Sequence, residues 1–172
     1  MDAIKAIYSR RSIRAHKNRQ LSQRQIDTIL AAGCSAPSAH NGRPWEFIVV
    51  KDKETISALS GIKKYYKAPL SQATCAIAVL INPTLNEKEK LEYKFQDCAA
   101  ATQNMLISAT ALGLGSCWMG GLLEESEMKN IRSILGIPEP IIFFGLVSFG
   151  YPNEKRKKHG KIEAGKVHFE KY

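Results

Sequence analysis

Apolar residues recur at helical spacing in the first part of the chain. Residues 2–9 carry one such pattern, and a longer one begins after Ser22. Ser22 and Gln25 have the form of a capping box, in which each side chain satisfies a backbone N–H of the first helical turn. This second helix should end before Pro37, because the residue that precedes a proline resists the α conformation.

Two further short helices are marked by the residues that begin or end them. Asp52 is a suitable N-cap for a helix that runs to about Leu59. A later helix over residues 128–135 should stop at Gly136, because glycine readily adopts the left-handed conformation that closes many helices.

Three apolar runs, bounded by polar residues or proline, predict strands. They are rich in β-branched and aromatic residues, which favour the extended conformation. The third run contains Gly145, where a β-bulge is expected. The runs are EFIVVK at 46–51, CAIAVLIN at 75–82 and PIIFFGLVSFGYP at 140–152.

Residues 98–123 contain no charged side chain over 26 consecutive positions. That length would admit a transmembrane helix, but its scattered Thr, Gln, Asn and Ser side chains would be costly in hydrocarbon, so a buried helix of a soluble protein is expected. Two apolar faces of one helix in so small a domain indicate a partner subunit. One face comprises Leu91, Phe95, Cys98, Thr102, Met105, Ala109 and Leu112, and the other Ala100, Gln103, Ile107, Ala111 and Leu114.

Length and composition are those of one soluble domain, which we assign to residues 1–172. The 172 residues are 44% hydrophobic and 24% charged, enough to bury a core without disulfide or metal support. The first residues lack the apolar run of a signal peptide, so a cytoplasmic location is expected. The four cysteines form no C-x-x-C pair, so we expect reduced, mostly buried thiols and no metal site.

The surplus of positive charge is confined to two short segments. The net charge is +9, from 25 Lys and Arg against 16 Asp and Glu. Residues 10–19 and 155–161 contain five cations each and no acid, and the remaining 15 cations are outnumbered by the 16 acids. Chain termini often lie close together, so both segments could face one anion. A solvated basic tail and a diffuse nucleic-acid footprint are the alternatives.

The segment SRRSIR at 9–14 favours a phosphate monoester as that anion. Arginine presents a planar fork of donors that matches phosphate oxygens, and Ser12 adds a hydroxyl donor. No Ser-His-Asp or Cys-His arrangement can be defended from spacing. The histidines at 16, 159 and 168 lie in basic or terminal segments, where surface positions are expected.

Four motifs follow one another over essentially the whole chain. They are SRRSIR at 9–14, APSAHNGRPWEF at 36–47, DCAAATQNMLISATALGLGSCWMGG at 97–121, and GYP at 150–152 before a basic tail that ends VHFEKY. Together they resemble the nitroreductase family of flavin enzymes, in its compact form without an inserted lid. The resemblance implies an α+β fold of three layers, with helices flanking a central, mostly antiparallel sheet. It also implies an obligate homodimer with one FMN in each of two interface sites.

The resemblance assigns the N-terminal basic segment to the FMN. Arg10, Arg11 and Ser12 match positions that hold the phosphate and ribityl chain, and Arg14 matches a cation near the N1 and O2 edge of the flavin. Hydride arriving at N5 leaves negative charge over N1 and O2, so a fixed cation there would favour the reduced flavin.

Three other segments match cofactor contacts of the family. A loop that the second subunit lends to the same FMN corresponds to Pro37, Ser38 and Asn41. A turn over the flavin ring corresponds to Trp118, Met119, Gly120 and Gly121. A phosphate-binding cation of the tail corresponds to Lys161, with Lys158 as the alternative. The two adjacent glycines would allow a backbone N–H, that of Gly120 for instance, to approach flavin N5 closely.

The sequence therefore predicts an FMN-dependent oxidoreductase that passes hydride from NAD(P)H through flavin N5 to a small acceptor, such as a nitroaromatic or quinone. The reduction of the flavin by NAD(P)H and its oxidation by the acceptor would take place in turn at one site, without a catalytic side chain. Neither nucleic acid nor a membrane is expected as a partner. Arg43 stands where family members commonly have glutamine or glutamate; it is either a loop arginine in solvent or a rim residue suited to an acidic substrate or NADPH. The alternative functions are a dehalogenase or flavin-degrading enzyme on the same scaffold, and a non-enzymatic nucleic-acid-binding protein.

Overall fold

A single sheet forms the centre of the molecule. The computed structural model describes residues 1–120, 123–157, 163 and 165–172. The strands within these residues are β1 (His16–Lys17), β2 (Trp45–Val50), β3 (Cys75–Ile81), β4 (Gly115–Met119) and β5 (Ile142–Pro152). They pair antiparallel in the order β1–β5–β3–β2, and β4 also pairs with β5. The predicted α+β class and mostly antiparallel sheet are confirmed.

Helices cover both faces of the sheet and produce the expected three layers. They are α1 (Ala3–Ser9), α2 (Gln23–Cys34), α3 (Lys53–Ser60), α4 (Lys64–Leu70), α5 (Leu91–Ala111) and α6 (Glu125–Leu135), and a 3-10 turn spans Ala39–Asn41. Strand β3 is buried along its whole length, and its side chains alternate between two cores. Ile77 and Val79 pack with α2 and α5, whereas Ala78 and Leu80 pack with α3, α4 and α6. Burial on both faces explains why this strand is a continuous apolar run.

The predicted helix caps are present. Ser22 and Gln25 form the reciprocal capping box at the start of α2, and the Asp52 carboxylate accepts a hydrogen bond from the Thr55 N–H at the start of α3. Gly136 closes α6 with a φ of 63°. Helix α4 and strands β1 and β4 are elements that the apolar pattern did not predict.

The bulge expected at Gly145 is also present. Val79 lies opposite Gly145 but Leu80 lies opposite Phe143, so Phe144 is the extra residue of β5. A Cβ at Gly145 would stand 2.9 Å from Trp118 Nε1. A glycine is therefore required in β5 where it passes the Trp118 side chain of β4.

The uncharged segment divides into a helix and a strand. Helix α5 buries Cys98, Thr102, Met105 and Ala109 of the predicted seam, but the seam's outer residues, Leu91, Phe95 and Leu112, stay exposed. The turn expected at Trp118 and Met119 is wrong, because both residues belong to β4, which is hydrogen-bonded to β5. No helix in the described ranges combines the length and apolar character that a bilayer span requires.

Candidate active site

The segment that follows α1 is anchored to β4. Ser12 forms a parallel bridge with Ser116, and the Ile13 N–H donates to the Ser116 carbonyl at 2.9 Å. The two chains approach so closely that a Cβ at Gly115 would lie 2.7 Å from Ile13 Cγ2. Gly115 therefore leaves the room for this approach, and the contacts with Ser116 fix the position of the SRRSIR segment.

The two basic segments meet at one pocket of about 580 Å³. The Arg11 Nε donates to the Lys157 carbonyl at 2.5 Å, which joins residues 146 positions apart, and its Nη1 donates to the Arg10 carbonyl. The expectation that the two basic segments face the same site is confirmed for residues 10–14 and 155–157. Lys158 and Lys161 lie outside the described residues. The pocket is lined by Arg10, Arg11, Ser12, Arg14, Lys155, Arg156 and Lys157.

The third nitrogen of Arg11 suits an anionic ligand. Nη2 is shielded from solvent and has no hydrogen-bond partner among the described residues. Leaving a buried, charged donor unpaired costs about 1–3 kcal/mol or more, so a ligand oxygen would be stabilising here. The phosphate of FMN fits this donor set, because arginine forks bind phosphate oxygens in pairs.

One carboxylate opposes the six cations of the pocket. Glu154 accepts the Arg14 N–H at 2.6 Å and the Ala15 N–H at 3.3 Å, and it pairs with Arg156 Nη2 at 2.6 Å. The Arg14 N–H is the main cause that holds the pKa of Glu154 below its usual range. Glu154 thus fixes the backbone of the arginine segment. The sequence did not reveal this role, because the residues next to Glu154 do not indicate a partner 140 positions away.

The N-terminal basic segment does not act as one cluster. Lys17 belongs to β1 and lines a different cavity, and the Arg19 guanidinium lies 4.1 Å from the centre of the Tyr151 ring. His16, expected at the surface, is 1% exposed, and its Nε2 lies 3.5 Å from Ser148 Oγ. Burial lowers the pKa of His16, although the nearby Glu154 carboxylate partly opposes that shift.

Three hydrogen bonds to side-chain oxygens hold the 37–43 loop. The Ala39 N–H donates to Asp97 Oδ1 at 3.0 Å, which ties the loop to α5. Within the loop, the Arg43 N–H donates to Ser38 Oγ at 3.0 Å and the Arg43 Nε to Asn41 Oδ1 at 2.9 Å. Arg43 is therefore folded back onto its own loop, and Asp97 is a loop-positioning residue that the sequence did not reveal.

The same loop has a backbone conformation that side chains rarely adopt. His40, Asn41 and Arg43 have φ values of 47°, 57° and 45°. Left-handed residues other than glycine cost free energy and occur often at functional sites. Pro37 and Asn41 are exposed, and within one chain the loop does not line the arginine pocket.

The end of β4 presents an aromatic surface. Trp118 points outward and packs against Phe144 with ring centres 5.7 Å apart, and Phe95 lies 5.9 Å from Phe144. The Met119 side chain is buried in the core, so only its backbone is available to a ligand. Gly120 follows, and its carbonyl accepts a hydrogen bond from the Tyr65 hydroxyl at 3.0 Å. The sequence did not indicate that Tyr65 contacts this segment. Gly121 lies outside the described residues.

The three buried cysteines are poorly suited to act as nucleophiles. All four are free thiols, and Cys75, Cys98 and Cys117 are buried, as expected. Burial raises the pKa of Cys75 and of Cys98 to about 12, so both remain protonated at neutral pH.

The same fold occurs in solved structures of flavin-dependent reductases. An FMN-dependent nitroreductase from Clostridium difficile superimposes with a TM-score of 0.87 and 32% identity, over 98% of this chain and 99% of that one. A provisionally named nitroreductase from Desulfovibrio desulfuricans, solved in complex with FMN, gives a TM-score of 0.82 and 27% identity, over 100% of this chain and 98% of that one.

Sequence comparison then identifies the family. The model of the nitroreductase family matches residues 7–151, and the chain belongs to that family. A protein of Archaeoglobus fulgidus, provisionally named NADH dehydrogenase/NAD(P)H nitroreductase, is 41% identical over 99% of both chains.

Proposed function

We propose that this chain is an FMN-dependent oxidoreductase that takes hydride from NAD(P)H. The observation that carries this proposal is the convergence of residues 10–14 and 155–157 on one pocket, around the unpaired Nη2 of Arg11. FMN ends in a phosphate dianion, and a local surplus of cations binds such a group better than a neutral ligand. The names of the relatives, an FMN-dependent nitroreductase and an NAD(P)H nitroreductase, support the same function.

In this proposal the arginine segment binds the polar end of FMN. Arg10 and Arg11 hold the phosphate, Ser12 donates to the phosphate or ribityl chain, and Lys161 or Lys158 adds a cation from the tail. When bound, FMN accepts hydride from NAD(P)H at N5 and passes two electrons to a small acceptor such as a nitroaromatic or quinone. Arg14, whose backbone Glu154 fixes, supplies the cation at the N1 and O2 edge.

The flavin ring would lie against the end of β4. Trp118 offers an exposed aromatic face, and Met119 contributes through its backbone only. The hydrogen bond from Tyr65 to the Gly120 carbonyl holds the chain directly after the Gly120 N–H, the proposed donor to N5, and a donor held in place is what that interaction requires. Gly120 and Gly121 leave the room for that approach.

The proposed enzyme is a homodimer in which the 37–43 loop of one subunit completes the site of the other, through Pro37, Ser38 and Asn41. Several large apolar side chains are 40–58% exposed on α1 and α5, where a second subunit would cover them; they are Ile4, Ile7, Tyr8, Tyr93 and Phe95. Sedimentation equilibrium should show a dimer, and a monomer that binds FMN fully would contradict this part. Reduced thiols and the use of NAD(P)H suit a cytoplasmic enzyme.

The colour of the protein is the first test. After incubation with FMN and gel filtration, the protein should be yellow, with one FMN per chain, and anaerobic NADH or NADPH should bleach it. Arg11→Ala should lose FMN on gel filtration, whereas Arg24→Ala, which removes the same charge from the exposed face of α2, should keep it. A colourless wild-type protein would overturn the proposed function.

A further inference from the structure

A second cationic cavity lies apart from the arginine pocket and shares no lining residue with it. Its volume is about 680 Å³, in the range that is usual for small-molecule sites. Helices α3 and α4 contribute one wall, and β1 with the residues that follow it contributes another. Four lysines from three separate parts of the chain line it: Lys17, Lys51, Lys53 and Lys67.

Among the described residues, the lysines of this cavity have no acidic partner in its lining. No acidic residue lines it, and in the described part of the chain none of the four lysines forms a salt bridge. Asp52 stands between two of them in sequence and keeps its charge, but it does not line the cavity, and its carboxylate accepts hydrogen bonds from the N–H and hydroxyl of Thr55. Several cations around one concave surface raise the local concentration of anions.

Part of the other polar lining is already engaged, and the lysines are the donors that carry a full positive charge. Three lining hydroxyls already donate to backbone carbonyls: Ser60 to Ser57, Ser71 to Ala68, and Thr74 to Arg19. The floor includes the buried side chains of Ile56 and Leu70, which give an apolar surface beneath the charges.

We infer that this cavity binds a small molecule with two or more phosphate groups. Each lysine is a compact charge on a flexible stem, so four of them can follow separate phosphates, whereas an arginine fork is suited to one. A free polyphosphate and a nucleoside triphosphate share this chemistry. The inference is independent of the flavin function, because the two cavities have no lining residue in common.

The test is calorimetric titration with tripolyphosphate and, separately, with ATP, at low salt and with FMN in excess. The variant Lys17→Gln/Lys67→Gln removes two charges from the cavity. The control Lys64→Gln/Lys88→Gln removes two exposed charges that do not line it, one of them from the same helix as Lys67. We expect the first pair to weaken binding roughly 30-fold and the control by less than about threefold.

Three results would overturn the inference. They are no binding of either probe to the wild type, an equal loss in both double variants, and binding that is seen only when FMN is left out, which would move binding to the arginine pocket. Tighter binding of ATP would identify a nucleotide as the source of the phosphates, and tighter binding of tripolyphosphate would identify an inorganic one; each supports the inference. If the first pair unfolds, Lys51→Gln/Lys53→Gln provides the same test with the other two lysines of the cavity.

Discussion

Glu154→Ala should loosen the contact between the two ends of the chain. Glu154 binds the backbone N–H groups of Arg14 and Ala15 and the guanidinium of Arg156. Glu154→Gln keeps an oxygen for the backbone donors but removes the negative charge. The two variants therefore separate hydrogen bonding from charge.

The expected loss of stability follows from these contacts. The short bond from the Arg14 N–H to an ionised carboxylate is worth about 1.5–3 kcal/mol, and the longer Ala15 bond is weaker. The Arg156 partner is half exposed, so that ion pair adds at most about 1 kcal/mol. We expect Glu154→Ala to lower the free energy of unfolding by about 2 kcal/mol and Glu154→Gln by about 1 kcal/mol. For a chain of this size, about 2 kcal/mol corresponds to a fall in Tm of roughly 4–8 °C.

Denaturant unfolding at several pH values measures this effect. The Arg14 N–H holds the pKa of Glu154 below its usual range, so its stabilisation is present above pH 4.5 and is lost as the pH falls through the folded-state pKa. The gap between wild type and Glu154→Gln should therefore close in acid. Glu125→Gln breaks an exposed ion pair and should change stability by less than about 0.5 kcal/mol.

Two results would refute this reasoning. One is a Glu154→Ala variant as stable as the Glu125→Gln control at neutral pH. The other is a stability gap between wild type and Glu154→Gln that persists or widens in acid, since an ionised carboxylate could not then be its cause.

Three other changes have defined outcomes. Gly115→Ala should destabilise the fold by about 1–3 kcal/mol in denaturant unfolding, because the new Cβ would lie 2.7 Å from Ile13 Cγ2. His16→Gln should flatten the fall of stability below pH 6.5, because burial lowers the pKa of His16 and the unfolded chain therefore takes up the proton more readily. Asp97→Ala should weaken FMN binding about tenfold in a fluorescence titration, with Asp97→Asn recovering most of it, because the loss of one loop hydrogen bond is worth about 1.5 kcal/mol.

Each of these changes has a control and a contradicting outcome. Gly61→Ala meets nothing closer than 3.4 Å, so equal stability of both alanine variants would remove the proposed clash. His168→Gln alters an exposed histidine, and identical pH slopes for both histidine variants would mean that burial of His16 does not matter. If Asp97→Ala lowers stability while leaving FMN affinity unchanged, Asp97 does not position the loop for the cofactor.

Local signals in the sequence were sufficient for most of the helices. The Ser22 capping box, the Asp52 cap and Gly136 act within one turn of their own helix, so they are visible without the fold. Strand β4 was missed because it follows α5 inside the same uncharged run, where Gly113 and Gly115 mark the end of the helix but do not show that a strand begins. Its identity depends on pairing with β5, which is distant in sequence.

The parts of the site that could not be predicted all depend on distant partners. Glu154 contacts Arg14 across 140 positions, Asp97 contacts Ala39 across 58, and Tyr65 contacts Gly120 across 55. The SRRSIR arginines were found because their charge is concentrated locally. The cavity around Lys17 was not, because its lysines come together only in the folded chain.

The most direct test of the arginine pocket compares FMN with riboflavin, which lacks the phosphate. We expect the wild type to bind FMN far more tightly than riboflavin. Arg11→Ala should lower that preference roughly 10- to 100-fold while riboflavin affinity stays the same, since a charge-assisted hydrogen bond is worth about 1.5–3 kcal/mol. Equal affinity of the wild type for the two flavins, or an unchanged preference in Arg11→Ala, would contradict the claim that the two ends of this chain bind a phosphate.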